Sequence, residues 1–233
     1  MKILGLQKTT LIDYPKKVAC TIFLFGCSFR CGFCHNPGLV ISPSGKEYSQ
    51  EEILDFLEKR KNYLDAVCFT GGEPLMTLEK SFLEKIKKIG YLIKIDTNGS
   101  FPEQLKEFID SGLVDYVAMD VKSDRERYSY FAGVEVDIKK IEESIKMISK
   151  LENYEFRTTI IEKEHNTGGM KSLIKWIYDL IGGKIKNYSL QGFKREEELI
   201  DKMYLNFKDT SENYLESLKK EINKYIENIE IKV

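Results

Sequence analysis

The sequence predicts an α/β protein, a partial (βα)6 TIM-like barrel with parallel strands and with helices outside. Six short runs rich in β-branched and aromatic residues alternate with stretches of helical periodicity. This alternation is typical of a parallel sheet covered by helices. The chain carries no glycine fingerprint for a dinucleotide, which favours the barrel over a doubly wound sheet, the alternative interpretation.

The first half of the chain supplies three of these βα units. The strands are expected at 18–25, 65–72 and 91–99, and the helices at 49–62, 78–90 and 102–112. Ser49 followed by acidic residues is a favourable helix start, and Pro102 suits a first helical turn. Gly90 and Gly112 stand where helices end.

The second half continues the pattern with strands at 114–122, 154–161 and 187–192 and helices at 137–151 and 170–183. A last helix at 211–227 is followed by an edge strand at 228–233. No low-complexity linker or change of composition interrupts the chain. We therefore expect one domain over 1–233, with its core at about 15–195 and a C-terminal helix and edge strand at 210–233.

Composition narrows the class of partner. Charged residues make up 31% of the 233 residues and nearly cancel, leaving a net charge of −1, so there is no electrostatic case for nucleic acid as the main ligand. No apolar run reaches the length of a membrane span, and the N-terminus lacks the pattern of a signal peptide. We expect a cytoplasmic protein, in which clustered cysteines bind metal or act in catalysis rather than form disulfides.

Three of the five cysteines lie in one short loop after the first predicted strand. Cys27, Cys31 and Cys34 have the spacing Cys-x3-Cys-x2-Cys. Zinc would need a fourth ligand, and His35 directly follows Cys34, which is awkward for joint chelation. Three thiolates suit an iron–sulfur cluster better and would leave one iron open. Cys20 and Cys68 fall inside strands and are expected to be buried structural residues.

Polar motifs also mark the ends of the other predicted strands. In a parallel α/β fold the C-terminal ends of the strands share one edge, where ligands bind. Charged groups inside apolar strand ends must be paired or must face a ligand. The motifs are GGEP at 71–74, DTNG at 96–99, MDVK at 119–122, RTT at 157–159 and LQG at 190–192.

These motifs resemble those of the radical S-adenosylmethionine (SAM) superfamily. Cys27, Cys31 and Cys34, with Phe33 before the third cysteine, resemble its cluster motif, and GGEP resembles its second hallmark. The segments CHN, DTNG and D-V-K are similar to those of activases of glycyl radical enzymes. The segments LIDYP and CHNPGL are most similar to the branch of anaerobic ribonucleoside-triphosphate reductase activating proteins. The resemblance covers roughly residues 3–195.

The resemblance implies a 4Fe–4S cluster held by the three cysteines, with SAM on the open iron. Reductive cleavage of SAM would give a 5′-deoxyadenosyl radical that takes a hydrogen atom from a glycine of a glycyl radical enzyme, with anaerobic ribonucleotide reductase expected. A flavodoxin- or ferredoxin-type protein would donate the electron. Three alternatives stay open: an activase of pyruvate formate-lyase or another glycyl radical enzyme, a small-molecule radical SAM enzyme such as a deazapurine synthase, and a non-enzymatic zinc scaffold.

The resemblance also assigns cofactor contacts. Gly71, Gly72 and Glu73 would meet the amino group of SAM; Asp96, Thr97 and Asn98 would lie beside its methionine and ribose; Phe33 and His35 would line the adenine pocket. Asp96 and Asp120 match residues that hold a monovalent cation in some activases. Lys122 and Arg157 would meet the SAM carboxylate or ribose, or else form salt bridges with Asp96 or Asp120. Gln191 stands where activases often have a histidine, which this sequence lacks.

Two further residues are expected to have no part in the chemistry. His165 lies in the polar segment EKEHNTGG and is expected to be a solvated loop residue. Trp176 shares helical spacing with Ile174, Ile177 and Leu180 and is expected in the core.

Overall fold

The computed structural model describes residues 1–43 and 45–233. Its eight strands follow one another in the sheet in chain order. They are β1 (Ile3–Thr10), β2 (Ala19–Leu24), β3 (Ala66–Gly71), β4 (Leu92–Thr97), β5 (Tyr116–Asp120), β6 (Tyr154–Ile160), β7 (Ile185–Gly192) and β8 (Ile226–Lys232). Consecutive order with intervening helices is the pattern of repeated βα units.

Eight α-helices connect or follow these strands. They are α1 (Pro37–Val40), α2 (Gln50–Arg60), α3 (Lys80–Ile89), α4 (Pro102–Asp110), α5 (Tyr128–Ala132), α6 (Ile138–Ile148), α7 (Thr167–Ile181) and α8 (Glu212–Ile222) in the described part of the chain. Short 3-10 helices occupy Pro74–Met76, Lys202–Asn206 and Asn223–Tyr225. In the described ranges, none of the helices combines the length and the apolar character that crossing a bilayer requires.

The chain groups into two compact units, each described here by itself. Unit 1 comprises Met1–Ser28, Asn36–Thr97 and Glu103–Val117. In it β2 pairs parallel with β3, and β3 with β4, while β1 runs antiparallel to β2. Helix α2 begins with a complete capping box between Ser49 and Glu52, and α3 ends at Gly90, whose φ of 110° is left-handed.

Unit 2 comprises Phe29–His35, Asn98–Pro102 and Ala118–Val233. Its strands β6, β7 and β8 pair in parallel. Helices α6, α7 and α8 bury apolar stripes that recur at helical spacing, as Leu173 and Ile177 do on α7 and Leu215 and Leu218 do on α8. The side chain of Asp137 caps α6, and that of Asn166 caps α7.

The six predicted strands are confirmed as β2 to β7, and the predicted final edge strand is confirmed as β8. Besides the 3-10 helices, three elements lie outside the prediction: strand β1 (Ile3–Thr10) and the short helices α1 (Pro37–Val40) and α5 (Tyr128–Ala132). The two helices are too short to show helical periodicity, and buried and exposed residues do not alternate along β1. The expectation of a single domain stays a prediction.

Candidate functional site

The C-terminal ends of β2 and β3 meet through their backbones in unit 1. Gly72 packs so closely on Gly26 that a Cβ at position 72 would lie 2.0 Å from the Gly26 carbonyl oxygen. Gly71 has a φ of 117°, and a Cβ there would lie 2.5 Å from the Leu24 oxygen. The Glu73 amide donates to the Gly26 carbonyl at 2.7 Å. The two glycines of GGEP are therefore needed to join these strand ends, beside Cys27.

Glu73 is a carboxylate with no exposed surface. Its Oε1 accepts hydrogen bonds from the Thr97 hydroxyl at 2.8 Å and from the Leu75 amide at 3.1 Å. Pro74 opens the 3-10 helix that follows, and Glu73 caps it. Two donors hold this buried carboxyl group in one orientation, so it presents a fixed acceptor. Unit 1 thus brings Gly71, Gly72, Glu73 and Thr97 together.

Asp96 forms an ion pair with Lys94, two residues earlier on β4. Lys94 is only 2% exposed. The charge on Asp96 is thus matched by a lysine that the sequence reasoning missed, and the signal available for it was a lysine in an otherwise apolar strand, two residues before Asp96. Asn98, in unit 2, shapes the turn after β4, because its Oδ1 accepts from the amide of Ser100 at 2.9 Å and from its hydroxyl at 2.6 Å.

In unit 2 the cysteine loop contains a tight turn between Cys31 and Cys34. The Cys34 amide donates to the Cys31 carbonyl at 3.0 Å, so Gly32 and Phe33 are the central residues of that turn. Phe33 is buried and meets the ring of Phe131 edge to face at 6.3 Å. The turn therefore sets the spacing of the second and third cysteines.

None of the five cysteines forms a disulfide, and they fall into two groups. Cys20 and Cys68 are buried in strands, where desolvation raises their pKa values, that of Cys20 to about 12. They remain neutral structural residues, as predicted. Cys27 and Cys34 are partly exposed, and Cys31 is buried. Among the described residues, no three His, Cys, Asp or Glu side chains are gathered closely enough to hold a single metal ion.

Asp120, at the end of β5, is paired with two cations in unit 2. Lys122 Nζ lies 3.1 Å from its Oδ2, and Arg157 Nε of β6 contacts its Oδ1. Burial opposes the charged form of Asp120, but Arg157 and then Lys122 outweigh it and hold the pKa of Asp120 well below its usual range. Lys122 and Arg157 are expected either to meet the SAM carboxylate or ribose or to form salt bridges. In the structure both form salt bridges with Asp120.

His35 and Gln191 line a cavity of about 180 Å³ together with Gly192, Lys194, Glu196, Lys232 and Val233. The His35 ring lies 5.9 Å from that of Phe193. Its Nε2 is a buried atom without a hydrogen-bond partner among the described residues. Burial lowers the pKa of His35, which favours the neutral imidazole. A buried ring nitrogen that lacks a partner is a place where a ligand can bond.

The prediction of a solvated His165 is wrong. The residue is 4% exposed and its ring stacks on Phe131 at 4.3 Å. Its Nδ1 accepts from the Ile161 amide at 3.1 Å, and Nε2 lies 3.2 Å from the Lys122 carbonyl oxygen. Trp176 is half-buried rather than fully in the core: its ring contacts Tyr128, and its Nε1 donates to Glu142.

Comparison with known proteins identifies this arrangement. The family model of the radical SAM superfamily matches residues 21–166, which include the cysteine loop, GGEP, Asp96 and Asp120. The chain belongs to the radical SAM superfamily. It is therefore an enzyme, and the cofactors of radical SAM enzymes are a 4Fe–4S cluster and SAM. This confirms the predicted superfamily and cofactors; the monovalent cation and the individual site residues stay predictions.

Two relatives indicate the branch of the radical SAM superfamily. A protein of Methanocaldococcus jannaschii that carries the name of a glycyl-radical enzyme activating enzyme is 34% identical over 98% of this chain and 94% of its own length. The pyruvate formate-lyase-activating enzyme of Clostridium pasteurianum is 33% identical over 57% of each chain. The resemblance to activases is thus confirmed, while the branch specific for ribonucleotide reductase is not.

Solved structures support the fold. SuiB of Streptococcus suis matches 91% of this chain with a TM-score of 0.68 at 14% identity, and this chain spans 48% of SuiB. A domain of a pyruvate-formate lyase-activating enzyme from Bacteroides vulgatus matches 72% of this chain and 99% of that domain, with a TM-score of 0.56 at 19% identity. The predicted class, a partial TIM-like barrel, is confirmed by these radical SAM neighbours.

The residues present fit the two cofactors. Three thiols in one loop, free of disulfides, supply the donor chemistry of an iron–sulfur cluster. Within unit 2, the buried Nε2 of His35, without a hydrogen-bond partner among the described residues, is an atom that a heterocyclic ligand would satisfy.

Proposed function

We propose that this protein is an activase that takes a hydrogen atom from a backbone glycine of a glycyl radical enzyme, with anaerobic ribonucleotide reductase as the partner. The observation that supports the activase most directly is the 34% identity to the Methanocaldococcus jannaschii activating enzyme along nearly the whole of both chains. The segments LIDYP and CHNPGL support the choice of partner. A flavodoxin- or ferredoxin-type protein would supply the electron.

Cys27, Cys31 and Cys34 would hold the cluster through their thiolates. When bound, the cluster and SAM supply the reductive cleavage that yields methionine and the radical that accepts the hydrogen atom. Gly26 and Gly72 keep the backbone beside Cys27 fixed, through the close contact of their strand ends. The role of this part of the chain is placement and the exclusion of water.

Glu73 would receive the amino group of SAM. Its Oε1 is oriented by Thr97 and by the Leu75 amide, so the carboxylate is held in place before the ligand arrives. Gly71 and Gly72 lack side chains and leave the backbone open to the same group. Asp96 would lie beside the methionine and ribose with its charge already matched by Lys94, so it would act as a hydrogen-bond acceptor.

Lys122 and Arg157 would meet the SAM carboxylate or ribose while remaining paired with Asp120. This pairing holds Lys122, which follows β5, and Arg157, which lies within β6, in fixed positions. His35, Phe33 and Gln191 would line the adenine pocket. The neutral imidazole favoured by burial can bond the heterocycle without placing a charge against it.

The test is glycyl radical formation in a defined mixture. The reconstituted and reduced protein is mixed with SAM and, in separate reactions, with the anaerobic ribonucleotide reductase and the pyruvate formate-lyase of the same genome. We expect the paramagnetic resonance signal of a glycyl radical in the reductase reaction and 5′-deoxyadenosine in the supernatant. Cys31→Ala should abolish both, while Cys20→Ala, which removes a thiol outside the loop, should keep both.

Other results would redirect the proposal. A glycyl radical that forms only on pyruvate formate-lyase would identify that enzyme as the partner. The proposal that this protein is an activase would still stand. Formation of 5′-deoxyadenosine with no glycyl radical on any glycyl radical enzyme of the genome would favour the small-molecule alternative. Tightly bound zinc with no iron or sulfide after reconstitution would overturn the proposal.

A further inference from the structure

The turn between Cys31 and Cys34 is covered by a later segment of unit 2. Residues 194–209 follow β7 and return to the sheet at Thr210. The base of this segment is closed by hydrogen bonds from the Thr210 amide to the Phe193 carbonyl at 2.9 Å and from the Arg195 amide to Asp209 Oδ1 at 2.9 Å. The Thr210 hydroxyl also donates to the Ile160 carbonyl at 2.6 Å. We call residues 194–209 the clasp.

The clasp contacts both central residues of the cysteine turn. The Asp201 amide donates to the Gly32 carbonyl at 2.9 Å. The Tyr204 ring meets the Phe33 ring edge to face, with centroids 5.8 Å apart. A Cβ at Gly32 would lie 2.6 Å from Tyr204 Cε2, so only glycine lets the ring pack this closely. Gly32 and Phe33 are therefore held by the backbone of Asp201 and by the ring of Tyr204.

Tyr204 anchors the clasp almost alone. It is 4% exposed, whereas most of the clasp is charged and exposed, Leu199 being the other buried residue. Its ring also contacts Phe193 at 6.3 Å and Phe207 at 5.0 Å. A segment with so few buried apolar contacts is expected to open locally at a low free-energy cost. A group bound at the cysteine turn beneath it could favour the closed form.

We propose that the clasp fixes the spacing of Cys31 and Cys34 for the iron–sulfur cluster, with Tyr204 as its positioning residue. The inference rests on the proposed function, because it takes these two thiols as ligands. Groups that orient metal ligands are known to change metal affinity by about 10- to 100-fold when they are removed. Thermodynamic linkage is reciprocal: if the closed clasp favours cluster binding, the bound cluster must stabilise the closed clasp to the same extent.

The first test measures loss of iron to a chelator under anaerobic conditions, followed by the visible absorbance of the cluster. We expect Tyr204→Ala to lose iron about 10- to 100-fold faster than the wild type. Tyr204→Phe keeps the ring contacts and removes only the hydroxyl, which is hydrogen-bonded to Tyr130, so it should retain iron much better than Tyr204→Ala. Met203→Ala changes an exposed side chain, 43% accessible, in the same 3-10 helix and serves as the matched control.

The second test measures cleavage of the clasp by trypsin at Arg195 and Lys202, with circular dichroism to verify folding. Cluster loading should slow cleavage in the wild type, and Tyr204→Ala should remove most of that protection. Gly32→Ala should resemble Tyr204→Ala, because its methyl group would lie 2.6 Å from Tyr204 Cε2 and 3.0 Å from Asp201 Cβ and would push both away from the turn.

The outcomes separate the two inferences. The proposed role of the clasp would be overturned by equal iron retention in folded Tyr204→Ala and wild type. It would also be overturned if trypsin cleaved the clasp at the same rate with and without the cluster. Either result would leave the proposed function standing. A wild-type protein that takes up no four-iron cluster would overturn the proposed function itself. If Tyr204→Ala does not fold, iron loss and cleavage in Gly32→Ala decide the matter.

Discussion

The Thr97 hydroxyl donates a 2.8 Å hydrogen bond to Glu73 Oε1, so the last residue of β4 holds the buried carboxylate that follows β3. Glu73 has no exposed surface and Thr97 is 3% exposed. The contact joins Glu73 of the GGEP motif to Thr97 of the DTNG motif within unit 1. It also gives the carboxylate an orientation independent of any ligand.

Replacing Thr97 should weaken SAM binding. Thr97→Val removes the hydroxyl at nearly constant volume and leaves Glu73 with one donor fewer, a change expected to cost about 1–3 kcal/mol. We expect SAM affinity of the reconstituted protein to fall about 10-fold or more by equilibrium binding. Thr97→Ser keeps the hydroxyl and is the control. Equal affinity in Thr97→Val and wild type would show that the hydrogen bond does not orient Glu73.

The contact of Gly72 with Gly26 predicts a steric effect. In Gly72→Ala the new methyl group would lie 2.0 Å from a backbone oxygen, so the two strand ends must separate. We expect a loss of about 1–3 kcal/mol of unfolding free energy in urea and loss of SAM binding. Gly183→Ala is the matched control, since no atom lies within 4 Å of a Cβ there. Wild-type stability in Gly72→Ala would contradict the packing described.

The ion pair between Lys94 and Asp96 predicts how SAM binding responds to monovalent cations. Because Lys94 matches the charge of Asp96, wild-type SAM affinity should be the same in potassium chloride and choline chloride of equal ionic strength. Lys94→Met removes the positive charge beside Asp96, and SAM affinity of this variant should rise with potassium alone. Lys87→Met, which removes the partner of Asp115, is the control. A potassium response in the wild type would instead support the cation site inferred from the resemblance.

The burial of His165 predicts that the folded protein loses stability in mild acid. Burial lowers its pKa in the folded protein to about 4, while the unfolded chain takes up a proton near 6.5. The unfolded state therefore binds more protons between these values, and stability falls as the pH drops from about 6.5 through 4. In His165→Asn, which retains an acceptor for the Ile161 amide, the urea midpoint should depend less on pH over this range. An unchanged pH profile would contradict a buried neutral histidine.

The cysteine loop and the strand-end motifs were predictable because their information is local. A strand run, a glycine turn and a cap such as Ser49 depend on neighbouring residues, so the sequence determined six strands, the helices between them and the residue types at their ends. It also determined the superfamily, because Cys27, Cys31, Cys34 and GGEP lie at characteristic spacings.

Only the tertiary structure decided which charges pair and what covers the loop. Pairing of Asp120 with Arg157 and Lys122, burial of His165 and the seat of Tyr204 on Gly32 each join residues distant in sequence. Such contacts depend on which side chains the fold brings within a few ångströms, and neither periodicity nor local propensity encodes that distance. The antiparallel β1 was decided in the same way, because it forms by pairing with β2, and no local pattern in the sequence specifies that pairing.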